Sequence, residues 1–119
     1  MSKILFVHYP KCGTCQKAAK WLRENDIEVE SRNIVENNPT KEELSDWLKR
    51  SGLPIKKFFN TSGRVYKENN IKDLVQTSDD DSLLTLLATD GMLVKRPVVV
   101  SENNILIGFN EEEWTKALK

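Results

Sequence analysis

The 119-residue chain is long enough for one domain with a real core, which we take to span residues 1–119. Lys plus Arg and Asp plus Glu number 18 each, so no bulk positive charge points to nucleic acid. Apolar residues at 39% and charged residues at 30% suit a small soluble globular protein, and no apolar stretch approaches the ~20 residues that cross a bilayer, so neither direct nucleic-acid nor membrane contact is expected.

Lys3 and a four-residue apolar run, Ile4-Leu5-Phe6-Val7, are too short for a signal peptide. Cytoplasm is the expected compartment, and thiols are kept reduced there. Ile4–His8 reads as a short buried strand. Both cysteines follow it, in Pro10-Lys11-Cys12-Gly13-Thr14-Cys15-Gln16-Lys17. A helix is predicted over Thr14–Asn25, with Cys15, Ala18, Ala19 and Leu22 toward the core. Cys12 thus falls where a strand hands over to a helix. The first helical N–H groups lack partners there, and the dipole places about half a positive charge. A thiolate at Cys12 is favoured by both and by neighbouring Lys11, so Cys12 reads as a nucleophile with a lowered pKa. Cys15, one turn on, can attack a mixed disulfide formed at Cys12. Lys3, Lys11, Lys17, Lys20 and Arg23 make this surround locally basic.

Other readings stand beside that one. A structural disulfide would close a very short loop and constrain little chain entropy. A zinc site wants about four ligands, and only Cys12, Cys15 and His8 are near. Free cysteines also occur as inert small hydrophobes. His8 at a strand end is a packed residue or a catalyst.

Ile27 and Val29 alternate with Glu28 and Glu30, placing a second strand near Glu28–Asn33 and completing a parallel βαβ unit. Thr40 and Glu43 form a capping box for a helix reaching about Arg50, stopped by Ser51-Gly52 and Pro54. Ile55–Phe59 reads as a short helix, Asn60-Thr61-Ser62-Gly63 as a loop, and Tyr66–Val75 as helical in pieces. Asp79-Asp80-Asp81 reads as the start of a helix running to Ala88, with a metal site as the alternative. Asp90-Gly91 ends it, and Met92-Leu93-Val94 leads to Lys95-Arg96-Pro97. Val98–Val100 and Ile105–Ile107 form a hairpin across Glu102-Asn103-Asn104, and Asn110 with Glu113 caps a last helix. The order βαβ, helical block, ββα predicts a thioredoxin-like α/β fold. It has a four-stranded mixed sheet, with residues 38–90 approximately as an inserted helical subdomain over one side of the site.

Tyr9-Pro10-Lys11-Cys12-Gly13-Thr14-Cys15-Gln16-Lys17-Ala18, Trp21-Leu22, Asn60-Thr61-Ser62-Gly63, Tyr66, Lys95-Arg96-Pro97-Val98-Val99-Val100 and Gly108-Phe109-Asn110-Glu111 carry a further signal. With them the chain resembles the arsenate-reductase-like, or ArsC/Spx, family nearly end to end. The resemblance implies that Cys12 is the nucleophile and that Arg96 lies beside it and binds oxyanions. It implies that Pro97 is a cis-proline and that His8 matches a histidine of arsenate reductases. Those enzymes hold the oxyanion with three arginines, of which only Arg96 is matched; Asn60 and Gly108 stand at the other two positions. They also carry Ser at the Cys15 position and rely on glutathione and glutaredoxin.

The leading expectation is therefore a thiol–disulfide oxidoreductase. Cys12, Cys15 and Arg96 are catalytic, and Lys11, Pro97, His8, Gly13 and Thr14 support them. Asn60 and Arg96 bind the substrate, a disulfide or a small oxyanion. No cofactor or metal is expected; glutathione or thioredoxin/glutaredoxin would serve as reductant, and a monomer is the expected state. The resemblance also implies two alternatives. One is an Spx-like redox-sensing regulator docked on the RNA polymerase alpha subunit's C-terminal domain; Gly52 falls near the glycine that branch uses in the contact, though Ser51-Gly52 is adequately explained as a helix stop. The other is arsenate reduction.

Overall fold

A computed structural model describes residues 4–102 and 104–119; Lys3 of the basic surround and Asn103 of the hairpin turn lie outside the described residues. In chain order the elements are β1 (Leu5–His8), α1 (Gly13–Glu24), β2 (Glu30–Asn33), α2 (Lys41–Ser51), α3 (Arg64–Glu68), α4 (Ile71–Thr77), α5 (Asp80–Thr89), β3 (Val98–Val100), β4 (Ile105–Ile107) and α6 (Glu111–Leu118). Short 3-10 turns lie at Ile55–Phe58 and Gly91–Leu93. The chain divides into two units: the residues up to Asn33 together with Arg96–Lys119, and Ile34–Lys95.

The first unit holds a four-stranded sheet in the order β2-β1-β3-β4. β1 pairs with β2 in parallel, Leu5 opposite Glu30, while β1–β3 and β3–β4 are antiparallel. This mixed βαβ plus ββα sheet is the thioredoxin-like arrangement expected from the element order. Phe6 lies opposite Val99 and both face a core of Ala18, Trp21, Leu22 and Trp114. Val7 and Val98, on the other face, are also buried, which is why β1 and β3 read as unbroken apolar runs. Trp114 meets Phe6, Trp21 and Phe109 edge to face, and its indole N–H donates to Gly108 O at 3.1 Å.

Three sequence expectations shift. β2 starts at Glu30, not Glu28. Asp26 turns the chain at φ 55°, and Ile27 and Val29 pack against the core before pairing begins with Glu30 N–H to Ile4 O at 2.8 Å. Along α1 the buried side chains are Cys15, Ala18, Trp21 and Leu22, while Ala19 is only partly buried. A larger indole fills the space that small residues alone would leave. Of the apolar segment Met92-Leu93-Val94, the first two residues lie in a tight 3-10 turn over Gly91–Leu93, after which extended Val94 forms an isolated bridge with Phe59.

In the second unit Thr40 closes the capping box, its hydroxyl accepting from Glu43 N–H at 3.1 Å and its N–H donating to Glu43 Oε1 at 3.0 Å. Gly52, at φ 68°, ends α2 in the left-handed conformation that suits glycine. α3 and α4 are separate pieces, broken at Asn70. The acidic run starts α5: Asp79 accepts from Ser82 N–H at 2.8 Å, and Asp81 pairs with Lys41 at 2.9 Å. Among the described residues no group of three or more His, Cys, Asp or Glu side chains is arranged to hold a metal ion. Among them, too, no helix is long and apolar enough to cross a membrane.

Candidate functional site

Beyond His8 the backbone turns so that Cys12 N–H donates to Tyr9 O at 2.9 Å. The Gln16 side-chain amide donates to Pro10 O at 2.9 Å and ties this loop to the first turn of α1. Cys12 is then the N-cap residue of α1, with extended backbone at φ −86°, ψ 121°. It is half-buried, Cys15 is buried, and the two thiols are not bonded to each other. Gly13 and Thr14 between them are exposed, and a Cβ added at Gly13 would meet nothing within 4 Å.

Burial alone would push the Cys12 thiol up. The Cys15 N–H, the Cys15 thiol and the Arg96 guanidinium, both as hydrogen-bond donor and as charge, outweigh it, so its pKa lies below the ordinary 9.0. The N-cap makes no side-chain bond of conventional geometry, so the Cys15 N–H acts chiefly as an oriented dipole. Lys11, expected to support the thiolate, is exposed, where water screens its charge. Cys15 moves the other way. Burial, then the neighbouring Cys12, push it up to about 12, against the opposing Tyr9 N–H and Arg96. Tyr9 N–H donates to Cys15 Sγ at 3.5 Å. Their surroundings therefore shift the two thiols in opposite directions.

Arg96 comes from the far end of the chain, just before β3. Its Cζ lies 5.2 Å from the centre of the Tyr9 ring. The Arg96–Pro97 peptide is cis, Pro97 is buried, and Pro97 O accepts from Gly108 N–H at 2.8 Å. His8 stacks on Phe6, ring centres 4.8 Å apart and 11° from parallel, and burial lowers its pKa. Asn60 belongs to the second unit, where its N–H donates to Leu93 O at 2.7 Å and its carbonyl accepts from Gly63 N–H at 3.0 Å.

So Cys12, Cys15, Arg96 and Pro97 gather in the first unit, with Gly13 and Thr14 in the same turn. Tyr9 joins them without having been singled out. Its neighbours in sequence gave no sign of it, because the guanidinium it meets arrives only through β3.

The family model of the ArsC family matches residues 7–117. This chain belongs to the ArsC family. A Bacteroides fragilis structure described as ArsC-family-related is 57% identical, superposes with a TM-score of 0.93, and is matched over 96% of each chain. The uncharacterized protein YusI of Bacillus subtilis strain 168 is 47% identical over 93% of this chain and 94% of its own. The global transcriptional regulator Spx 2 of Bacillus cereus is 31% identical over 90% of this ArsC-family chain and 80% of its own.

Proposed function

We propose that this ArsC-family protein is a cytoplasmic thiol–disulfide oxidoreductase working through Cys12 and Cys15. The observation that carries the reading is the opposite tuning of two thiols one turn apart: Cys12 lowered beside Arg96, Cys15 raised to about 12. Cys12 thiolate attacks one sulfur of a substrate disulfide, forming a mixed disulfide and expelling the other substrate sulfur as thiolate. The Cys15 proton passes to a departing substrate sulfur. Cys15 then attacks Cys12 Sγ, the Cys12–Cys15 disulfide closes, and the second substrate thiol leaves. The pair has given up two electrons, which an outside thiol reductant, glutathione or a thioredoxin-class dithiol, restores.

The test is trapping and titration of the reduced protein. Cys15→Ser is expected to accumulate mixed disulfides at Cys12, and Cys12→Ser to accumulate none. A Cys12 that titrates at or above the ordinary thiol value of 9.0, or equal trapping by both variants, would overturn the reading.

A second reading draws on the 31% identity to Spx 2. The same pair would act as a redox switch on a protein that docks on the RNA polymerase alpha subunit's C-terminal domain. Pull-down of polymerase under oxidising and reducing conditions separates the two: oxidation-dependent capture supports docking, and no capture in either state removes it. Arsenate reduction has less support. A multiply charged oxyanion suits several bidentate guanidinium contacts, and Asn60 and Gly108 occupy two of the three family positions. Arsenate turnover by the parent is expected to be no greater than by Cys12→Ser.

A further inference from the structure

We propose that Tyr9 is a positioning residue of the thiol site, its ring holding the Arg96 guanidinium beside Cys12. The proposal rests on the reading of Cys12 as the reacting thiol. Three parts of one residue meet three parts of the site. The Tyr9 carbonyl accepts from Cys12 N–H at 2.9 Å, and the Tyr9 N–H donates to Cys15 Sγ at 3.5 Å. The ring lies 5.2 Å from Arg96 Cζ, inside the ~6 Å within which a cation is drawn to an aromatic face.

An arginine has a long stem with many rotamers, and holding its head beside a sulfur loses that freedom. A ring lying under the guanidinium carbon limits the loss by giving the head one favoured place. The ring thus acts on Cys12 through Arg96 without touching the sulfur. The two backbone contacts survive any side-chain change, so substitution isolates the ring. The hydroxyl has no part in this, and Tyr9→Phe should keep the effect.

The experiment follows iodoacetamide alkylation of Cys12 in the reduced full chain as a function of pH, with the adduct located by mass spectrometry. It compares the parent, Tyr9→Phe, Tyr9→Leu, Arg96→Ala and the Tyr9→Leu/Arg96→Ala double variant. Tyr9→Phe should match the parent. Tyr9→Leu should slow alkylation about two- to five-fold on the rising limb of the profile, the factor a cation–π contact of this class allows. In the Arg96→Ala background Tyr9→Leu should change nothing more. If Tyr9→Leu matches Tyr9→Phe, or keeps its full effect without Arg96, the ring does not act through the guanidinium and the inference falls alone. If the parent itself titrates as a free thiol, the redox reading falls and this inference with it. Tyr9→Met carries the same comparison should Tyr9→Leu fail to fold.

Discussion

Cys12 and Cys15 differ in proton affinity because one sulfur lies at the mouth of a helix and the other inside it. The sign of each shift sets how stability varies with pH. Cys12 is lowered in the fold, so its contribution is present above the ordinary 9.0 and is lost as pH falls through the folded value. Cys15 is raised, so its contribution is present below 9.0 and is lost as pH climbs toward about 12. Denaturant midpoints measured across pH should show both slopes, with Cys15→Ser removing the alkaline loss. His8 is lowered by burial, so stability also falls as pH drops below 6.5, where the unfolded ring takes a proton first. His8→Gln should flatten that part of the curve. At this scale the strand-to-helix position of Cys12 was legible, because an apolar run and a helix-forming run flank it. The balance of charges was not. Lys11 is adjacent in sequence yet exposed, whereas Arg96 acts across most of the chain's length. Only the family resemblance pointed to Arg96, and Tyr9 stands in that motif with no role attached to it.

Elements with a local chemical signal stand where the sequence places them, and so do the apolar strands β1, β3 and β4; β2 alone is displaced. The Thr40–Glu43 box, the Gly52 stop and the Asp79 cap depend on neighbours a few residues away, and each is where the sequence placed it. β2 is different: its four residues, Glu30-Ser31-Arg32-Asn33, have no apolar alternation, and only hydrogen bonding to β1 makes them a strand. The alternating residues that drew attention lie just before it. Removing the Thr40 cap with Thr40→Ala should lower stability by about 1 kcal/mol, read as a shift in urea midpoint at unchanged slope. Gly91 tests close approach instead of capping. A Cβ there would fall 1.9 Å from Ile34 O, so the backbone must move, and Gly91→Ala should cost ~1–3 kcal/mol or more. Gly13→Ala, with open space around it, should cost no measurable stability.

For the molecule as a whole, the first unit is assembled from both ends of the chain, with β1 and β3 as the join. The cysteines arrive with one segment and Arg96 with the other, so the site exists only when that join is made. Trp114, fully buried among Phe6, Trp21 and Phe109, holds the second segment to the first. Trp114→Ala should destabilise by about 3–5 kcal/mol in equilibrium unfolding. The βαβ and ββα halves and their sheet were legible from element order, because the runs that became β1, β3 and β4 are short, apolar and bounded by turns. The division at Ile34 and Lys95 was less so, since no change of composition marks either residue. The pairing of Arg96 with Cys12 has a last consequence. In the proposed chemistry a bond between the two sulfurs would remove the thiolate that Arg96 stabilises, so the positive charge there would no longer be offset by it. Small inorganic anions should then favour the oxidised protein over the reduced one. Added phosphate is expected to drive the midpoint potential more negative in the parent and to leave it unmoved in Arg96→Ala.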